Sequence, residues 1–259
     1  MILTPLKRYL RDYGLALLLL LFLLVCWETV VRLKWIPSFI LPAPTSIWNA
    51  LVENRRLLFG QHLPATLQEV IMGFILSVVL GSLLGTGMHL SRRLEKALYP
   101  FIIISQTIPL IALSPIFIFW FGYSLAGKVA VVFLTAFFPV VVGSFDGLRK
   151  GGEGYRELLL TMGANRWHLL TKIQIPLALP SFFSGLKLSI VYCVIGATIG
   201  EWLGGSKGLG YFSRRMAGNL QSDEMFAAVF LLSALGLVLF LILVLLEKIL
   251  FMKRGSSNS

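Results

Sequence analysis

Gly122-Tyr-Ser-Leu-Ala-Gly127-Lys128 has the spacing of the first seven positions of a phosphate-binding loop, in which backbone amides cradle phosphates and the lysine reaches the terminal ones. The chemistry stops at the next position, because Val129 stands where a serine or threonine hydroxyl would hold magnesium. No strand pattern precedes the loop, so any ATP chemistry has to come from another polypeptide. The remaining reactive side chains are sparse. Cys26 and Cys193 lie inside apolar runs, which offers neither a disulfide framework nor metal-ligand spacing. His62, His89 and His168 are far apart in sequence and are expected at interfaces, not in a metal cluster or proton relay. No nucleophile and base are paired, which argues against a membrane enzyme or sensor.

The elements that would position these residues are membrane helices. Hydrophobic residues make up 57% of the 259 residues and charged ones only 14%, with a mean hydropathy of +0.83, more apolar surface than one soluble core can hide. The net charge of +11 is scattered between apolar runs, without the basic patch that nucleic acid would require. A helix needs about 20 apolar residues to cross a bilayer. Six stretches reach or approach that length: Gly14–Val31, Val70–Leu90, Phe101–Tyr123, Val129–Phe145, Gly185–Leu203 and Phe226–Leu246. The fifth carries Lys187 and Glu201 near its ends, where both could snorkel to the interfaces.

Lys7, Arg8 and Arg11 precede the first apolar block as they would in a secretory signal, but no A-x-A-like site follows and a retained first helix is expected. With both termini inside, the inner segments (1–13, 91–100, 146–187, 247–259) hold 15 of the 23 Lys and Arg. Acidic residues divide evenly, so the bias is the one the positive-inside rule predicts. The expectation is an all-α, six-span protein of a bacterial inner membrane, a single transmembrane unit over 1–259 with its core at 64–250 and both termini cytoplasmic.

The inner segment 146–184 is longer than a plain connector. Leu158, Leu159 and Met162 before Gly163, and Trp167, Leu169, Leu170 and Ile173 after it, predict two short amphipathic helices meeting at a glycine break; Pro176 and Pro180 mark re-entry into the membrane. Such a pair could rest on the inner leaflet. The segment also resembles the EAA motif of importer permeases of the ATP-binding-cassette superfamily. Glu157, Gly163 six residues later, Ile173, Ile175 and Pro176 fall on the motif's offsets, with Leu158 and Leu159 replacing its two alanines and Ile175 its leucine. The resemblance implies a coupling helix seated on an ATPase, with Glu157 as charged anchor, Gly163 as turn and Ala164 as the point of close approach.

Leu41-Pro42-Ala43-Pro44, Gln106 to Leu113, Phe119-Trp120-Phe121-Gly122, Phe137-Phe138-Pro139, Gly200 to Gly204, Gly208-Leu209-Gly210 and Phe226-Ala227-Ala228 extend the likeness over nearly the whole chain. They are similar to the nitrate, sulfonate and taurine branch, which includes permeases for pyrimidine precursors of thiamine. The resemblance implies a permease without its own cofactor, paired with a second copy, with ATPase subunits that bind ATP and magnesium, and with an extracytoplasmic solute-binding protein, all at membrane lipid.

For a solute path, Ser189, Tyr192, Cys193, Gly196, Ala197 and Gly200 recur on one face of the fifth span, a stripe that would equally serve close helix packing. Gln106 lies among Ser105, Pro109, Ser114 and Pro115 in the third span, where each proline frees a carbonyl one turn earlier, at Ser105 and Ile111. Glu201 is expected at the outer surface, either exposed or guarding the mouth. The competing function is an ion-coupled secondary transporter, for which Glu28, Glu69 and Glu201 are the candidate outer-half carboxylates.

Overall fold

The computed structural model describes residues 3–151, 154 and 161–255, and among these every regular element is helical. Helix α1 (Leu3–Arg32) is followed by the short α2 (Pro44–Glu53), and α3 (Leu63–Leu90) is entered through a single turn and a π turn over Leu58–His62. After it come α4 (Arg92–Ser105), α5 (Leu110–Phe121) and α6 (Leu125–Lys150), then α7 (Ile175–Gly204), α8 (Leu209–Gly218) and α9 (Ser222–Gly255). Five of the described helical stretches are long and apolar enough to cross a membrane. The helices outrun the apolar windows: α6 continues to Lys150 and α7 begins at Ile175, so the connector between them is shorter than the expected 146–184.

The third expected span is not one helix. Helices α4 and α5 meet at 90° across residues 106–109. The amides of Gln106, Thr107 and Ile108 close back on the carbonyls of Ile103, Ile104 and Ser105 at 3.0 to 3.3 Å, and Pro109, with no N–H, cannot extend the ladder. The Ser105 carbonyl expected to be left free is therefore taken by Ile108. Pro100, Pro115, Pro139 and Pro180 lie inside helices that continue through them, so proline alone does not locate the break.

The bundle is built around α6, which has α3 on one side and α7 on the other. Small residues set both seams. Gly73, Ser77, Gly81 and Gly85 recur every fourth residue on α3 and are all buried; a Cβ on Gly81 would come within 2.9 Å of Val140, and one on Gly85 within 2.7 Å of Ser144. On the other side the Cα of Gly143 is 3.2 Å from where a Cβ on Gly185 would stand, and Gly196 sits against Val132 and Thr135. Lipid is as apolar as leucine, so such association rests on backbone approach and van der Waals contact instead of on the hydrophobic effect. By contrast, Leu15 and Leu18 to Val25 of α1 show exposed apolar side chains, the surface a lipid-facing helix presents.

Candidate functional site

The described part of the segment between α6 and α7 has an exposed tip and a buried stem that leads into α7. Glu157, with the rest of 155–160, lies outside the described residues. Gly163 has φ +85°, a left-handed conformation that a side chain would strain, and it supplies the turn before the single helical turn Arg166–Leu169. The Asn165 side-chain oxygen accepts the Trp167 amide at 3.2 Å, which caps that turn. Met162 and Trp167 are 74% and 65% exposed, and Ala164 beside them is half-buried.

Toward α7 the chain locks into the bundle. Leu169, Leu170 and Gln174 are buried, and Leu170–Gln174 forms a π turn with half-buried Ile173 inside it, leading to Pro176 at the start of α7. Gln174 Oε1 and His89 Nε2 are 3.1 Å apart, tying this turn to the last residues of α3. Gly151 makes room beneath it: a Cβ there would be 3.0 Å from the Gln174 carbonyl. An exposed apolar tip on a stem packed into two membrane helices can pass a displacement of the tip into the bundle, as a flexible loop could not.

The opposite end of the bundle holds a buried polar bracket that sequence reasoning missed. Glu201 does not snorkel; it is 1% exposed. Its carboxylate accepts the Thr66 hydroxyl at 2.6 Å and the amides of Gly210 at 2.6 Å and Tyr211 at 3.3 Å, the first turn of α8. Thr66 Oγ1 in turn accepts the Leu209 amide at 2.8 Å, and His62 Nδ1 accepts the Gly208 amide at 3.1 Å. Gly208 has φ +122°, and a Cβ there would collide with the Glu201 carboxyl. A buried carboxyl group is tolerated here because oriented donors at a helix start replace water. The signal was the pair Gly208-Leu-Gly210 after Glu201, which marks a backbone that has to approach something closely.

Beside it, Lys128 of the loop-like heptapeptide donates to Glu69 Oε1 at 2.7 Å, both side chains nearly buried. The lysine is thus part of an interhelical ion pair. His62 is buried instead of interfacial, His89 is paired with Gln174, and His168 is exposed. Glu28 is engaged by Arg32 at 2.6 Å and by the Thr45 hydroxyl at 2.7 Å. Each carboxylate that an ion-coupled transporter could use therefore already carries a protein partner. Lys187, expected to snorkel, pairs with Glu247 of α9 at 2.8 Å.

The stripe on the fifth span is a packing face. Ser189 and Cys193 are fully buried, the Ser189 hydroxyl donating to the Ala136 carbonyl of α6 at 2.8 Å, and Gly196, Ala197 and Gly200 are buried in the same seam. Tyr192 stands apart from them at 43% exposure, and Gln106 is exposed at the break between α4 and α5.

A helical bundle with lipid-facing flanks, in which five of the described helical stretches are long and apolar enough to cross a membrane, defines a multi-pass membrane protein. Residues 77–253 match the family described as binding-protein-dependent transport system inner membrane component, and the chain belongs to that family. It is 46% identical over 233 residues to the formylaminopyrimidine transport permease protein of Halalkalibacterium halodurans, covering 90% of this chain and 93% of that one. It is 36% identical over 241 residues to the riboflavin transport system permease protein of Chloroflexus aurantiacus (92% and 88% covered). It is 25% identical over 235 residues to the taurine transport system permease protein of Escherichia coli (88% and 86% covered). The chain is a permease subunit of an ATP-binding-cassette importer, working with ATPase and solute-binding partners, and it is not itself an enzyme.

Proposed function

We propose that the chain acts as one permease unit over 1–259, paired with a second copy, and carries a planar heteroaromatic solute, a pyrimidine of the formylaminopyrimidine kind, into the cytoplasm. Both termini and the 151–174 connector face the cytoplasm; the Glu201 bracket and α8 lie at the outer face. The observation that carries the solute class is the 46% identity, across nine-tenths of both chains, to the formylaminopyrimidine permease. The riboflavin permease points to the same kind of flat, nitrogen-containing solute.

An ATPase loaded with ATP and magnesium seats the tip around Gly163, Ala164 and Trp167, with Glu157 as its charged anchor, and Ile173 and Pro176 pass the movement to α7. Support comes from the exposed tip and the buried Leu170–Gln174 stem. Of the path candidates, Tyr192 and Gln106 are the ones on the surface, and they line the path between the two copies. The test is uptake by the assembled importer with its binding protein: labelled formylaminopyrimidine should enter and unlabelled taurine should not compete. Competition by taurine with no pyrimidine entry would overturn the solute class.

A further inference from the structure

A cavity of about 390 Å³ opens beside the Glu201 bracket, between the end of α7, the turn before α6 and α8. Tyr123, Trp202 and Tyr211 line it, together with Arg214 and Arg215. Among the described residues neither guanidinium has an ion-pair partner. A belt of interfacial aromatics would spread its rings around the bundle toward lipid. Here they converge on one concavity.

The wall is fixed from behind. Trp202 Nε1 donates to Ser213 Oγ at 3.4 Å, and the Tyr211 amide is held by Glu201 at 3.3 Å. Gly205 lets this wall close: a Cβ there would lie 2.7 Å from the Glu201 carbonyl and 3.2 Å from Tyr211 Cβ. Aromatic ring faces, with the Trp202 indole tied to Ser213, attract a flat π-system, and a guanidinium both stacks on such a ring and donates to its nitrogen or carbonyl acceptors. A small sulfonate or nitrate would use the arginines and leave the rings idle.

We infer that this cavity is a solute-acceptance site on the permease itself, taking a planar heteroaromatic ring between Trp202 and the tyrosines with Arg214 on its acceptor atoms. It rests on the solute class proposed above and places the first contact of that solute outside the path, at the rim where it leaves its carrier.

The test uses the permease–ATPase complex in nanodiscs of zwitterionic lipid, without binding protein, titrated with formylaminopyrimidine. The wild-type complex should bind it, W202A and R214A should each weaken binding about tenfold, and W202F should bind nearly as wild type does. Basal ATP hydrolysis, which the cavity does not touch, should be unchanged in all three and reports a folded complex. Equal binding by wild type and W202A, no binding by wild type, or displacement by taurine would overturn the site. Uptake by the wild-type importer is read separately: pyrimidine entry with unaltered W202A binding removes the site and leaves the solute class standing, and no pyrimidine entry removes the solute class.

Discussion

The carboxylate of Glu201, near the end of α7, accepts the hydroxyl of Thr66 on α3 at 2.6 Å although 135 positions separate them. Through its second oxygen the same carboxylate holds the first turn of α8. One side chain thus fixes three helices at one end of the bundle.

Glu201→Ala should leave the Thr66 hydroxyl and two backbone amides without their acceptor in a dry site, costing about 3 kcal/mol. The melting temperature of the detergent-purified protein should fall on the order of 5–10 °C. Glu201→Gln, which keeps an acceptor oxygen, should lose less. Equal stability of wild type and Glu201→Ala would mean the bracket is not formed in solution.

The Lys128–Glu69 pair should show an asymmetry. Lys128→Met strands a carboxylate in the interior and should cost about 3–5 kcal/mol. The double variant Lys128→Met, Glu69→Leu removes both charges and should recover most of that loss. Urea unfolding of the three proteins measures it, and a double variant worse than the single would count against the pairing.

Close packing makes glycine positions unequal. Gly196→Val would drive its side chain into Val132 and Thr135 and should destabilise by about 1–3 kcal/mol or abolish membrane accumulation. Gly60→Ala meets nothing within 4 Å and should be nearly silent. Quantitative immunoblotting of membranes separates the two; equal yields would contradict the α6–α7 seam.

At the other end of the molecule, Gly163→Asp puts a β-substituted residue at φ +85° and a charge on the exposed tip, and Glu157→Lys reverses the proposed anchor. Both should insert at wild-type levels, because the stem of Leu169, Leu170 and Gln174 is untouched. ATP-driven uptake should drop by an order of magnitude or more, a loss of about 1.4 kcal/mol or greater in coupling. Normal uptake in both would remove the lever role.

Six apolar windows located the membrane helices because span length is written directly in composition. The windows could not reveal that α4 and α5 meet at 90°, since the run from Phe101 to Tyr123 is equally apolar on both sides of Pro109. The turn at Gly163 and the helix start at Pro176 were legible because their backbone demands are local. Glu201 was misplaced for the opposite reason: its burial depends on Thr66 and on the amides of Gly210 and Tyr211, partners that no local pattern joins to it. The fifth-span stripe read two ways because small residues serve a path and a helix seam alike, and the α6 residues that pack on it, Ala136, Val132 and Thr135, are joined to it by no local pattern.

In the proposed mechanism this chain provides a path and a lever while hydrolysis on a partner drives transport. Proteoliposomes holding the permease with its ATPase, supplied with binding protein and labelled formylaminopyrimidine, test it when ATP and the proton gradient are varied separately. Uptake should require ATP at the ATPase face and persist when an ionophore collapses the gradient; uptake without ATP that vanishes with the gradient would contradict it.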